Sequence, residues 1–121
     1  MDKEIRWVGS SYDDLLSFPI EARRQAGFQL GKVQAGLDPE NWKSFDEVGA
    51  GTREIRIQEA AGAFRVMYVA KFEEALYVLH CFQKKSKSGI ATPKADMDII
   101  RARLKVAEVL AQELRNAKTN H

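Results

Sequence analysis

Cysteine, proline and long apolar runs are all scarce in this sequence of 121 residues, which has one Cys and three Pro. The single cysteine, Cys81, excludes an intramolecular disulfide and a metal site built from several cysteines. Unbroken apolar stretches such as 66–70 and 75–79 are far shorter than the roughly 20 residues of a membrane-spanning helix. The N-terminus mixes charges of both signs without an apolar stretch behind them, so no secretory signal is expected. We therefore expect a cytoplasmic protein with no membrane partner.

The composition is that of a folded protein of modest size. Hydrophobic residues make up 45% of the chain and charged residues 30%, which excludes the disordered and fibrous classes. A chain of this length has room for one hydrophobic core. We therefore predict a single domain over residues 1–121.

The net charge of +2 is unevenly distributed along the chain. Residues 1–52 carry six Lys/Arg and nine Asp/Glu, a net of −3, whereas residues 53–121 carry thirteen and eight, a net of +5. Within the basic half, residues 84–105 contain seven cations and only two acids. A locally positive surface of this kind favours an anionic partner, and nucleic acid is the commonest large one.

Hydrophobic periodicity predicts an α+β fold. The N-terminal part reads as a short strand at 5–8, helices at 12–16 and 19–35, and a connecting segment at 38–52. The period then changes from 3.6 to 2, which predicts three consecutive antiparallel strands, a polar loop and a long amphipathic helix. These elements are expected at 53–58, 64–69, 76–82, 83–93 and 93–118. The predicted architecture is a small antiparallel meander with N-terminal helices packed on it and a C-terminal amphipathic helix.

Most catalytic signatures are absent from the sequence. It has no Gly-x-x-x-x-Gly-Lys phosphate loop, no His-Glu-x-x-His and no Gly-x-Ser-x-Gly. Only two histidines are present, and His121 is the last residue, so the sequence indicates neither a histidine-based metal site nor a Ser-His-Asp triad. We predict no cofactor and no metal.

The remaining chemical signal is a set of cations on or beside the predicted strands. Long side chains on neighbouring strands about 4.8 Å apart can converge on one site. Arginine clamps a phosphate through two bonds, and lysine adds a point charge, so such a set suits phosphoryl-group chemistry. Taken singly, each is more often a solvent-facing residue. The set comprises Arg53, Arg56, Arg65, Lys84 and Lys85.

Arg65 differs from the others because it lies inside an apolar strand, between Phe64 and Val66. A cation there needs a partner, either an acid such as Glu54 or an anionic ligand. His80, in a similarly apolar strand, is either a satisfied core histidine or a proton shuttle. Both questions stay open at the level of sequence.

Three segments together resemble the RelE/ParE toxin superfamily, most closely the phage-related HigB-type branch of RelE-like toxins. They are Arg-Glu-Ile-Arg-Ile at 53–57, Phe-Arg-Val-Met-Tyr at 64–68, and Phe-x-Lys-Lys followed by Thr-Pro at 82–93. Order and spacing agree over about residues 20–115. The resemblance implies a RelE-like fold and the toxin of a type II toxin–antitoxin pair.

Active members of this superfamily cleave mRNA without a metal, commonly on the translating ribosome. The resemblance therefore implies an endoribonuclease in which the ribose 2′-OH attacks the adjacent phosphate, and a helix-turn-helix antitoxin as partner. It assigns Arg65 to the scissile phosphate and Lys84 or Lys85 to proton transfer. The RNA-binding residues that it implies are Arg53, Arg56, Lys87 and His80.

Two other interpretations fit the same sequence. A ParE-like relative would share the fold and bind DNA gyrase without cleaving RNA, and its cations would be dispersed or paired with acids such as Glu54 and Glu73. A domain that merely binds RNA would show a broad basic patch instead of a compact cluster. An endoribonuclease instead requires Arg65, Lys84 and Lys85 on one accessible patch.

Overall fold

The computed structural model describes residues 2–84 and 92–119. These residues form five strands, three α-helices and one 3-10 turn at Asp46–Val48. In chain order the elements are β1 (Glu4–Trp7), α1 (Ser11–Leu16), α2 (Ile20–Gln34), β2 (Trp42–Ser44), β3 (Thr52–Glu59), β4 (Gly62–Val69), β5 (Ala75–Lys84) and α3 (Lys94–Thr119). The predicted α+β architecture is confirmed, and it is consistent with a RelE-like fold.

The strands form one sheet in the order β1-β5-β4-β3-β2. The predicted meander of β3, β4 and β5 is confirmed, and the short β2 extends it antiparallel to β3. The sheet as a whole is mixed, because β1 pairs with β5 in parallel. Periodicity identifies a strand but not its neighbour, and β1 is separated from β5 along the chain by two helices and three strands.

Each face of the sheet is covered by helices, and the side chains of β4 alternate between the two layers. Phe64, Val66 and Tyr68 pack with α1 and α2, whereas Met67 and Val69 pack with α3. Helix α2 contributes Ala22, Ala26, Leu30 and Val33 to the first layer, and α3 contributes Ile100, Leu104, Ala107 and Ala111 to the second. Both sets have the spacing of one helical face. The core is therefore split by the sheet into two apolar layers.

Helix α3, with 26 residues, is the longest element. Its buried positions recur on one side only, and its other sides carry mostly charged and polar residues together with the exposed Val106 and Val109. Among the described residues, no helix is both long enough and apolar enough to cross a bilayer.

A β-bulge interrupts the pairing of β4 with β5. Met67 lies opposite His80, but the next residue, Tyr68, lies opposite Val78, so Leu79 has no partner on β4. A bulge of this kind places two successive side chains on one face of the sheet. Leu79 packs in the α3 layer, and His80 also contacts α3. The bulge thus decides which side of the sheet the remaining residues of β5 face.

Gly49, in the loop that precedes β3, offers a test of how α3 seats on the sheet. Its φ of 150° lies in a region that favours glycine, and a Cβ there would overlap the Leu104 side chain. We expect Gly49→Ala to lower the free energy of unfolding by about 2–3 kcal/mol. Urea denaturation measures this change.

Gly27→Ala is the matched control, because Gly27 is an exposed residue of α2 with no heavy atom within 4 Å of an added Cβ. It should stabilise the protein by about 0.5–1 kcal/mol, since alanine is the better helix former. A Gly49→Ala protein as stable as wild type would contradict the packing described for Leu104.

Candidate anion-binding site

Two arginines lie directly opposite each other on the face of the sheet that also carries α3. The register pairs Arg56 of β3 with Arg65 of β4, and Arg65 in turn with Phe82 of β5. Side chains two residues apart on a strand point to the same face, so Glu54 and Lys84 share this face. We call these five residues, Glu54, Arg56, Arg65, Phe82 and Lys84, the basic face.

The Glu54 carboxylate lies between the two guanidinium groups. It accepts a hydrogen bond of 2.9 Å from Arg56 Nε, and its other oxygen is 3.8 Å from Arg65 Nε. The Glu54 side chain is only 5% exposed, compared with 11% for Arg65 and 36% for Arg56. One buried carboxylate therefore offsets the repulsion of two opposed cations, and a net positive charge remains.

Arg65 keeps unused hydrogen-bonding capacity. Its Nη1 donates to the Phe64 carbonyl at 3.0 Å, but its buried Nε has no hydrogen-bond partner among the described residues. Burial lowers the pKa of the Arg65 guanidinium, Glu54 raises it and Arg56 lowers it again. Because an arginine keeps its charge in proteins, this is a cation only partly neutralised by its one acidic neighbour. Of the two partners that the sequence left open, the acid Glu54 is present, and donor capacity for an anion remains.

Lys84 is the last residue of β5 and lies opposite Ala63, one row beyond Arg65. It is half-buried and follows Phe82 by two residues, so it belongs to the same side of the sheet as Arg65. Lys85 and Lys87 lie outside the described residues. Arg65 and Lys84 therefore share one face of the sheet, with the Arg65 side chain 11% exposed. The accessible patch of Arg65, Lys84 and Lys85 and the position of Lys87 stay predictions.

Arg53 does not join the basic face. It precedes Arg56 by three residues, so strand alternation turns it to the α2 side of the sheet. There its guanidinium lies 4.2 Å from the Trp42 ring centroid and 3.1 Å from an Asp38 carboxylate oxygen. The convergence of Arg53 and Arg56 on one site is thus corrected, while an RNA-binding role for Arg53 stays a prediction.

His80 is buried beside the basic face and paired with an acid that sequence reasoning missed. Its Nε2 lies 2.7 Å from Asp96 Oδ1 at the start of α3, and its ring stacks on Phe82 at 5.0 Å between centroids. Asp96 is 16 residues away in sequence, and only the docking of α3 brings it to the sheet. His80 Nε2 therefore has an acidic partner, whereas its buried Nδ1 has no hydrogen-bond partner among the described residues, so the core histidine expected as one alternative is only half satisfied. A direct part in RNA binding stays a prediction.

The other candidate side chains of the meander are buried in the core. Cys81 is buried, which raises the pKa of its thiol to about 12. Tyr68 and Tyr77 have no exposed surface and cannot offer a ring to a base. Within residues 2–84 and 92–119, no group of three or more His, Cys, Asp or Glu side chains is placed to hold a metal ion.

The fold is a mixed α+β domain, consistent with a RelE-like fold, and the basic face lies on the α3 side of its sheet. Residues 13–105 match the family described as Phage derived protein Gp49-like (DUF891), and the chain belongs to that family. The Gp49-like family is associated with RelE-like toxins. No curated protein matches the sequence. The family assignment covers most of the chain and includes all five residues of the basic face.

Glu54→Gln tests whether the carboxylate holds the two arginines together. The amide keeps the shape of Glu54 but removes the charge that offsets Arg56 and Arg65, so we expect the free energy of unfolding to fall by about 2–3 kcal/mol. Glu21→Gln is the control, because Glu21 forms an exposed pair with Arg24. It should change stability by at most about 0.5 kcal/mol. Equal effects of the two variants in urea denaturation would contradict the role given to Glu54.

Proposed function

We propose that this protein is the toxin of a type II toxin–antitoxin pair, of the HigB-type branch, and that it cleaves mRNA on the ribosome as a metal-independent endoribonuclease. The observation that carries the proposal is the opposed pair Arg56 and Arg65, which share one buried carboxylate and have Lys84 on the same face. Membership of the Gp49-like family supports a toxin of this kind.

The proposed reaction uses these cations to stabilise charge on phosphorus. The ribose 2′-oxygen forms a bond to the adjacent phosphorus and loses its proton, while the bond from phosphorus to the 5′-oxygen breaks and that oxygen gains a proton. The products are a 2′,3′-cyclic phosphate and a 5′-OH end. Arg65 would bind the scissile phosphate, because burial pre-positions its guanidinium and its Nε has no hydrogen-bond partner within residues 2–84 and 92–119. Lys84 or Lys85 would carry the proton.

When no RNA is bound, Glu54 partly neutralises the charge of Arg56 and Arg65. A phosphate that approaches Arg56 and Arg65 replaces part of the ion pairing that Glu54 provides, so RNA binding exchanges one anion for another. Arg56 would then contact the RNA backbone, and Arg53 and Lys87 stay predicted further contacts. Each such phosphate contact adds to the salt dependence of binding.

The partner and location follow from the same proposal. A helix-turn-helix antitoxin would cover the basic face and place acidic groups against its cations. Within the protein itself, Glu54 already neutralises part of that charge. The toxin would act in the cytoplasm, where translating ribosomes expose single-stranded mRNA.

A second candidate is a ParE-like inhibitor that binds DNA gyrase without cleaving RNA. The observation that favours it is the 2.9 Å bond between Arg56 and Glu54, because internal pairing of the cations with acids is what a binding module would show. The two candidates differ in whether Arg65 acts on a phosphate.

Arg65→Ala distinguishes these functions in cells. Induced wild-type protein should arrest growth and generate new mRNA ends with a 5′-OH inside coding regions, and Arg65→Ala should lower cleavage by a factor on the order of 10²–10³. Mapping of 5′ ends with and without prior phosphorylation measures this. Arg24→Ala, at an exposed position of α2, should behave as wild type.

The purified variants must first show wild-type circular dichroism, so that loss of cleavage reports on chemistry. Growth arrest with intact mRNA would contradict the nuclease, and inhibition of gyrase supercoiling by the same protein would then establish the second candidate. Cleavage by Arg65→Ala at the wild-type rate would remove Arg65 from the site.

A further inference from the structure

Phe82 is the point at which β5 emerges from the core. The seven residues from Ala75 to Cys81 are all buried, and Phe82 is the first on the strand to regain accessible surface. Its partner across the sheet is Arg65, and Arg56 is the next residue in the same row. An aromatic ring thus lies beside the two opposed cations, within the reach of long cross-strand side chains.

The ring of Phe82 is supported from one side. The His80 imidazole stacks on it with a centroid distance of 5.0 Å and an angle of 20° between the ring planes. The imidazole is itself held by Asp96 of α3 at 2.7 Å. The sheet, the bulge at Leu79 and helix α3 therefore fix the orientation of Phe82 before any ligand arrives.

We propose that Phe82 is a stacking platform for an unpaired nucleobase next to the phosphate held by Arg56 and Arg65; the proposal rests on the proposed function and specifies its substrate as single-stranded RNA. A cationic groove flanked by an aromatic ring is the usual composition of a site for single-stranded nucleic acid. A base in a duplex is already stacked on its neighbours, so it cannot lie on a protein ring unless it is first displaced.

The competing interpretation is that Phe82 only fills the edge of the α3 layer, where Met97 and Ile100 also pack. The two interpretations differ in what they require of the side chain. Core filling needs an apolar side chain of suitable size, which leucine supplies. Stacking needs an aromatic ring, which tryptophan supplies and leucine does not.

The probe is a set of short single-stranded RNAs with 2′-O-methyl ribose throughout, which blocks the attacking hydroxyl. Each carries one 2-aminopurine at a different position, and its fluorescence falls when that base stacks on an aromatic ring. With wild type and Phe82→Trp, one position should be quenched on binding. With Phe82→Leu, that quenching should disappear and Kd should rise about tenfold. Phe28→Leu, at an exposed phenylalanine of α2, is the control and should match wild type.

An abasic substitution at the quenched position completes a double-mutant cycle. Loss of the base should weaken binding to wild type about tenfold but leave binding to Phe82→Leu nearly unchanged, because the interaction is already absent there. Urea denaturation of each variant confirms that the fold is retained. An abasic penalty of equal size in both proteins, or binding of intact RNA by Phe82→Leu at wild-type strength, would overturn the proposal.

Arg65→Ala in the same assay separates this proposal from the proposed function. RNA binding that depends on Arg65 but not on Phe82 would reject only the stacking platform. RNA binding by wild type that depends on neither residue, or no binding either to the free RNAs or to ribosomes that carry them, would reject both the platform and the site on which it rests.

Discussion

The alternation of side chains along β4 is the constraint on which the rest of the structure depends. This strand is covered on both faces, so Phe64, Val66 and Tyr68 must enter one apolar layer and Met67 and Val69 the other. Arg65 belongs to the second series, on the same face of the sheet as Met67 and Val69. Removing a guanidinium from water is costly, and the structure meets that cost with Glu54 on the adjacent strand, which also bonds Arg56.

The basic face follows from this arrangement and from the extent of α3. The helix buries the sheet with Ile100, Leu104, Ala107 and Ala111, and its first turns reach β5 at His80, through Asp96, and at the layer edge that Met97 and Phe82 share. In the row of Arg56, Arg65 and Phe82, the Arg65 side chain is 11% exposed and that of Arg56 36% exposed, and Phe82 joins the edge of the apolar layer. The two apolar layers supply most of the stability, and the buried Glu54 carboxylate lets two cations lie beside them.

Much of this was predictable from local pattern, and the failures have definite causes. The meander and both main helices follow from periodicity of 2 and 3.6. The need to pair a buried cation made Glu54 one of two possible partners of Arg65, without deciding between the acid and an anionic ligand. The placement of Arg53 and Arg56 on opposite faces was also predictable, since residues an odd number of positions apart on a strand point to opposite faces. The parallel pairing of β1 with β5, the bulge at Leu79 and the contact of His80 with Asp96 carried no local signal, because each depends on segments distant in the chain.

What the sequence by itself determined is the type of each element, its buried side and the family to which the chain belongs, since these depend on residue spacing and on motif order. What only the tertiary structure decided is which charged groups meet. Arg56 and Arg65 oppose each other because a tight turn sets the register of β3 against β4, and Phe82 joins them only because a bulge resets the alternation of β5. Interactions between strands depend on register, and register is a property of the assembled sheet rather than of any one segment.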